Sequence, residues 1–226
     1  MTTFSETPDD PVPRSVGRAF DLLEIVVGEG ETNLTTAATL AGLTPTTALR
    51  HLRALESRGY LRRDADGSYS AGPTVLRLAA ATLDDGPFAR LVAVAQPVLD
   101  ELTERTGESS YLAVSDGDSA VYLATCESRR SIRHVGWVGK AVPLTGTAVG
   151  EALAGIIGAR TKSGSVEADI AAVARGVPDG DRVVAALSII GPSHRMDHDA
   201  VESAAAALQH GVKRLVAELG LTKVAS

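Results

Sequence analysis

Apolar residues recur every three to four positions through the first third of the chain. Val16, Ala19, Leu22, Leu23 and Val26 predict a helix over 16–27, stopped by Gly28-Glu29-Gly30. A short second helix is predicted over 36–41, started at Asn33 or at Leu34-Thr35, with Ala37, Leu40 and Leu43 turned inward. Gly42 makes a tight turn. Thr44 is a good N-cap for a third helix, and Pro45 suits its first position, where no N–H is needed. Leu49, Leu52 and Leu55 form an apolar stripe at spacing three, and Thr46, Thr47, Arg50, Arg53 and Ser57 occupy the other face. Gly59 ends this helix. Residues 60–63 read as a strand, Asp64-Ala65-Asp66-Gly67 as a turn and 68–70 as the return strand. Two helices joined through a glycine and followed by a hairpin form a winged helix-turn-helix.

After Gly72-Pro73 the pattern predicts a helix over 74–83, ended by Asp84-Asp85-Gly86-Pro87, and a longer one over 88–106 carrying Leu91, Val94, Val98 and Leu102. Pro97 either kinks that helix or begins a second segment. From Glu108 the period changes to two. Strands are predicted over 109–115 and 120–126 around an Asp116-Gly117 turn, with a third over 132–138. A helix over 147–154, an irregular stretch over 155–165 and a strand over 166–174 follow. Residues 178–181 read as a turn and 182–190, RVVAALSII, as a buried strand broken by Gly191-Pro192. Asp197 or Asp199 caps a last helix running to Leu219, with Val201, Ala204, Ala205, Leu208, Val212 and Leu215 on one face. The order predicts an α+β fold in two parts.

Charge changes the picture at one place. The chain carries a net −6, yet between Thr44 and Ser70 five arginines (50, 53, 58, 62 and 63) face three acids. The acids at positions 64 and 66 sit at the wing tip, so the third helix and the first wing strand, with Arg62 and Arg63, are locally basic. A duplex favours such a face because neutralised phosphates release counterions. The short side chains at the helix start can approach base edges, and Arg50, one turn in, can reach a guanine with both arms of its guanidinium. The alternative is an amphipathic helix with a solvated arginine face, or a winged helix that binds protein.

Other chemistry is sparse. A single cysteine excludes an intrachain disulfide and fits a reducing, cytoplasmic compartment. Residues 1–13 lack the apolar core of a signal peptide, and no apolar run is long enough to span a bilayer, so no membrane partner is expected. Cys126 has no CxxC context and reads as a packed strand thiol. His194 and His198 are four apart, but Pro192 puts the first before the helix start and no third ligand follows, so no metal site is expected. No GxSxG, HExxH or Walker loop is present, and no acid–base or nucleophile–base pair stands out. Neither catalytic residues nor a cofactor are expected.

The blocks SVGRAFDLLEIV, LTTAATLAGLTPTTALRHLRALESRGYLRRD and YSAGPTVLRLA resemble the winged helix of IclR-type transcriptional regulators. The later blocks TGESSYLAVSDGDSAVYLATCES, HVGWVGKAVPLTGTAVGEALAG and RVVAALSIIGPSHRMDHDAVES resemble that family's GAF-like effector domain, in the same order. The resemblance implies a flexible tail over 1–14, a winged helix-turn-helix domain over 15–72 and a linker helix over 73–87. An effector-binding GAF-like domain with a mixed or antiparallel sheet would follow over 88–226. It further implies a homodimer, or a dimer of dimers, that binds a double-stranded operator and responds to a small organic effector, a carboxylate or aromatic acid. Thr46, Thr47 and Arg50 carry over as recognition-helix contacts, with Thr44, Arg53, Arg62 and Arg63 around them. Thr145, Thr147, Ala148, Glu167 and Ser188 carry over as effector-pocket residues. Thr145-Gly146-Thr147 precedes a helix, whose free N–H groups suit a carboxylate; the same residues suit plain N-capping. Three departures stand out. Pro45 and Leu49 replace the basic residue and the His or Tyr common in the family, and GIIGARTKSGSV stands where members carry a longer insertion. These departures motivate the competing expectation of a ligand-binding or protein-interaction module that has lost DNA reading or effector response.

Overall fold

The computed structural model describes residues 13–86, 88–156, 160–164 and 166–222. The chain forms two compact units, one ending at Gly86 and the other following it. The tail expected over 1–14 lies outside the described residues except for its last two.

The first unit packs three helices on a small sheet. Helices α1 (Arg14–Glu29), α2 (Leu34–Leu40) and α3 (Pro45–Ser57) enclose a core of Leu22, Val26, Ala37, Ala48 and Leu52. Strands β1 (Glu31–Thr32), β2 (Leu61–Arg63) and β3 (Tyr69–Ala71) form an antiparallel sheet in the order β1-β3-β2, closed onto that core by Leu61 and Tyr69. Asn33 caps α2, its Oδ1 accepting from the Thr36 N–H at 3.0 Å. Helix α4 (Pro73–Asp85) leaves the wing. Two inward assignments need correction. Leu40 is 53 % exposed, because α2 ends there and Ala38 takes the inward position. In α3 the core face is Ala48, His51, Leu52 and Leu55, with Leu49 only half-buried at its edge.

The second unit is a six-stranded sheet with helices on both faces. Its elements are α5 (Ala89–Thr106), β4 (Ser109–Asp116), β5 (Ser119–Cys126), β6 (Ala141–Pro143), α6 (Ala148–Leu153), β7 (Arg160–Ser163), β8 (Ile170–Asp179), β9 (Arg182–Pro192) and α7 (His198–Leu219). The order is β6-β5-β4-β9-β8-β7, antiparallel throughout. Helices α5 and α7 cover one face through Val98, Leu99, Leu102, Leu208, Val212 and Leu215. Helix α6 and the segment after β5 cover the other, over Tyr111, Tyr122, Ala174, Ala186 and Ile190. Strand β9 lies near the middle and is buried on both faces, which is why it reads as an unbroken apolar run. A bulge at Leu112/Ala113 shifts the β4–β5 register, so that Ala124 joins the first core and Tyr122 the second. Helix α5 runs through Pro97 as one element.

Several predicted elements differ. Residues 132–138 are not a strand, because side chains take the carbonyls that a ladder would use. Ile132 O accepts from Arg195 at 2.9 Å, and His134 O accepts from Ser109 Oγ at 2.7 Å and from Tyr111 Oη at 3.1 Å. The stretch expected to be irregular contains β7, a polar edge strand without an apolar signal. The gap in which the family's insertion is missing falls partly on residues outside the described ones, 157–159 and 165. Strand β8 starts at Ile170 rather than at residue 166 and continues to Asp179, the bulge at Val177/Pro178 letting proline into the ladder. Gly191 and Pro192 continue β9 instead of breaking it, paired with Ala171 and Ile170.

Candidate nucleic-acid interface and ligand pocket

In the first unit the start of α3 is organised by its cap. Thr44 Oγ1 accepts from the Thr47 N–H at 3.3 Å and donates to Thr47 Oγ1 at 2.9 Å. The Thr44 hydroxyl is therefore fully engaged in holding the helix end, while the Thr47 hydroxyl accepts there and keeps its own hydrogen. Thr46, Arg50 and Arg53 stand exposed on the same helix, and the two arginines make no hydrogen bond or ion pair among the described residues. Arg62 and Arg63 point from the wing but are held. Arg62 Nε donates to Ser70 Oγ at 2.8 Å and lies 3.7 Å from Asp64, while Arg63 sits 5.6 Å from the centre of the Tyr69 ring. The structure thus offers two unengaged guanidiniums on the helix and two pre-oriented ones on the wing. Sequence reasoning missed His51, which backs this face from inside. Burial, then the positive charges of Arg50 and Arg18, hold its pKa below the usual histidine value.

In the second unit, α6, β5, β6 and the ends of β8 and β9 enclose a small concavity. Tyr122 and Trp137 supply its aromatic wall, Val142, Val149, Ile170 and Ile190 its aliphatic wall, and Thr147, Lys162 and Glu167 its polar groups. Its volume is about 20 Å³, room for little more than one water. Thr147, Ala148 and Glu167 are the sequence-expected residues that line it. Thr145 is exposed and outside the lining; Ser188 is fully buried on the same face of the sheet, in register with Tyr111 and Ala174. The Ser188 hydroxyl has no hydrogen-bond partner among the described residues. Thr147 caps α6, its hydroxyl accepting from the Gly150 N–H at 3.1 Å and donating to Pro143 O at 2.8 Å. Lys162 pairs with Glu151 at 2.7 Å.

Four rings run inward from this wall. Trp137 contacts Tyr122 at 5.3 Å between centroids and His134 at 4.3 Å, and Tyr111 contacts Tyr122 and His134, each at 5.3 Å. Tyr111 Oη meets His134 Nδ1 at 2.7 Å. A neutral ring protonated at Nδ1 satisfies this contact while the phenol donates to His134 O. Burial holds the His134 pKa below its usual value, against the opposing pull of Glu167, and pushes the Tyr111 hydroxyl up to about 12. None of these four rings was among the candidate site residues read from the sequence. The available signal was composition: the only tryptophan and two of four tyrosines meet here, in a chain that is 4 % aromatic.

Cys126 is half-buried and burial pushes its thiol up, which disfavours the thiolate. Among the described residues no three His, Cys, Asp or Glu side chains come together to hold a metal.

The family model for the IclR helix-turn-helix domain matches residues 15–65, and that for the C-terminal domain of the bacterial transcriptional regulator IclR matches residues 88–163. The chain belongs to the IclR family. Two relatives illustrate the likeness in sequence. The HTH-type transcriptional regulator KipR of Bacillus subtilis is 28 % identical over 131 residues, 58 % of this chain and 51 % of that protein. The HTH-type transcriptional regulator BhcR of Paracoccus denitrificans is 30 % identical over 141 residues, 62 % of this chain and 50 % of that one. The chain thus spans about half the length of these relatives. Among solved structures, an IclR transcriptional regulator from Alicyclobacillus acidocaldarius superposes with a TM-score of 0.71 at 22 % identity, covering 91 % of this chain and 98 % of that one. An IclR homolog from Microbacterium hydrocarbonoxydans, crystallised with 4-hydroxybenzoate, gives 0.71 at 20 % identity over 91 % and 99 %. The α+β fold, winged helix first and antiparallel-sheet domain second, is that of the IclR structures.

Proposed function

We propose that this chain is a sequence-specific DNA-binding transcriptional regulator whose operator affinity is set by a small organic effector. The observation that carries this reading is the exposed face of α3, where Arg50 and Arg53 are unengaged on a chain of net charge −6. Arg50, with Thr46 beside it, reads base edges. Arg53, Arg62 and Arg63 neutralise phosphates. Thr44 acts by fixing the helix start, and Thr47, whose hydroxyl only accepts from Thr44, keeps its own hydrogen to donate to DNA.

The regulator works as a homodimer or a dimer of dimers, so that two heads meet two half-sites. Exposed apolar side chains on α1 (Val16 and Phe20) and on α4 (Leu76) are consistent with a second copy packing there. The effector is a carboxylate or aromatic acid, the class to which the 4-hydroxybenzoate of the Microbacterium homolog belongs. It enters beside Trp137 and Tyr122 and meets Thr147, Ala148 and Glu167, with Ser188 beneath and Thr145 outside. With a volume of about 20 Å³ the pocket must widen to admit a ring, and that movement is the signal passed to the heads. The protein binds rather than catalyses and works in the cytoplasm; among the described residues no helix is long and apolar enough to cross a membrane.

A mobility-shift titration with DNA flanking the chain's own gene tests this, with and without 4-hydroxybenzoate. The expected result is a complex on that DNA and not on unrelated DNA, whose stability changes when the acid is added. Equal affinity for both DNAs contradicts the reading of DNA. An unchanged complex contradicts the effector class.

A further inference from the structure

Outside the pocket, one buried carboxylate is held by two partly exposed arginines. Glu108, between α5 and β4, is 3 % exposed. Its carboxylate takes both arms of Arg195, Nε at 2.7 Å and Nη2 at 2.8 Å, and also Arg130 Nη1 at 2.5 Å. The backbone is shaped around this triad. Gly107 closes α5 with φ +72°, and a side chain there would meet the Arg130 guanidinium at 2.7 Å. A Cβ on Gly191 would meet the Glu108 carboxylate, also at 2.7 Å. Two glycines therefore leave space for one carboxylate and its partners.

The triad holds the loop over 127–140. Arg130 belongs to that loop, and Arg195, from the turn before α7, also donates to the loop's Ile132 O at 2.9 Å. A second group of bonds follows: Ser109 Oγ donates to His134 O at 2.7 Å, and the Ser128 N–H donates to Ser109 Oγ at 3.0 Å. At its far end the backbone is tied to β5, the Gly139 N–H donating to Tyr122 O at 2.8 Å and the Tyr122 N–H to Lys140 O at 3.2 Å; between Ser128 and His134 its path rests on these side-chain anchors. The loop carries Trp137, 6 % exposed, to the pocket wall.

We infer that Glu108 is the positioning residue of the ligand pocket: through Arg130 and Arg195 it sets where the 127–140 loop places Trp137, without touching the ligand. This rests on the reading of the concavity as the effector site. When the clamp loosens, the loop loses its register, Trp137 leaves the wall and the pocket binds its ligand less well. The mechanism uses charge-assisted, two-armed bonds, whose geometry is restrictive as well as strong.

The test uses the full chain and Trp137, the only tryptophan, as reporter. Glu108→Gln and Arg130→Ala are compared with wild type and with Arg105→Ala, which alters a surface pair with Glu101. Circular dichroism verifies the fold. In Glu108→Gln and Arg130→Ala the tryptophan emission shifts to the red and acrylamide quenches it more efficiently, while Arg105→Ala matches wild type. Arg130→Lys restores the wild-type signal. Affinity for 4-hydroxybenzoate falls by about tenfold in the two clamp variants, with DNA binding in its absence unchanged. Folded clamp variants with wild-type emission and quenching overturn the inference. If Glu108→Gln does not fold, Arg130→Ala decides, because its side chain is half-exposed and Glu108 keeps Arg195. If wild type does not bind 4-hydroxybenzoate, the proposed effector class fails while Trp137 still judges the clamp.

Discussion

Two buried histidines make the protein sensitive to acid. His51 and His134 both titrate below the ordinary value of about 6.5 in the folded chain, mainly because burial disfavours the charged ring. The unfolded chain binds these protons more readily. The stability that depends on them is therefore complete above pH 6.5 and is lost as the pH falls through that value and then through the lower folded values. Thermal melts at pH 7.5 and 5.5 check this: the midpoint falls with acid, and falls less in His51→Leu. Histidine ring titrations at or above 6.5 by NMR contradict it. Ser188 gives a test of opposite sign. Its hydroxyl is buried with no partner among the described residues, so Ser188→Ala leaves stability unchanged or raises it by up to about 1 kcal/mol. A loss larger than that in denaturant unfolding shows that the hydroxyl has a partner in the folded protein. At this scale the sequence was legible where chemistry is local. Asn33, Thr44 and Asp197 all cap helices from positions their residue types favour. The Glu108 triad was not legible, since 87 residues separate Glu108 from Arg195 and nothing in either neighbourhood announces the other.

Elements formed where periodicity met a matching core. Helices α1, α3, α5 and α7 bury the apolar faces that their spacing marks, apart from Val16 at the start of α1, which is exposed, and a small rotation in α3 that keeps Leu52 and Leu55 inward but puts Ala48 and His51 there rather than Leu49. The predicted strand over 132–138 misled because its Ile, Val, Trp and Val give it strand composition. Its backbone partners are side chains from distant elements, which no local pattern records. Strand β7 was missed for the converse reason, as RTKS has strand geometry without strand composition. In the candidate interface, position followed from helix phase alone, whereas the engagement of Thr44 and Thr47 with each other needed coordinates. A prediction follows for the cap. Thr44→Ala removes the bond to the Thr47 N–H and costs about 1 kcal/mol of stability. It weakens DNA binding only modestly, and Thr44→Ser restores both. If Thr44→Ala abolishes specific binding at unchanged stability, Thr44 touches DNA directly.

The molecule as a whole is acidic, and its proposed task depends on keeping positive charge in one place. Phosphate contacts release counterions, so affinity falls with salt by about 0.9 logarithmic units per contact for each tenfold rise. Removing Arg53 lowers affinity for all duplexes alike and reduces that slope by about 1 per head. Removing Arg50 acts differently, because a base contact carries information that a phosphate contact lacks. A salt series of mobility shifts on DNA flanking the gene and on unrelated DNA, with wild type and Arg50→Ala, therefore bears most directly on the reading of α3. Specific binding by wild type that weakens steeply with salt, and an Arg50→Ala protein that treats the two DNAs alike, is the predicted result. Unaltered discrimination in Arg50→Ala, or none in wild type, contradicts it.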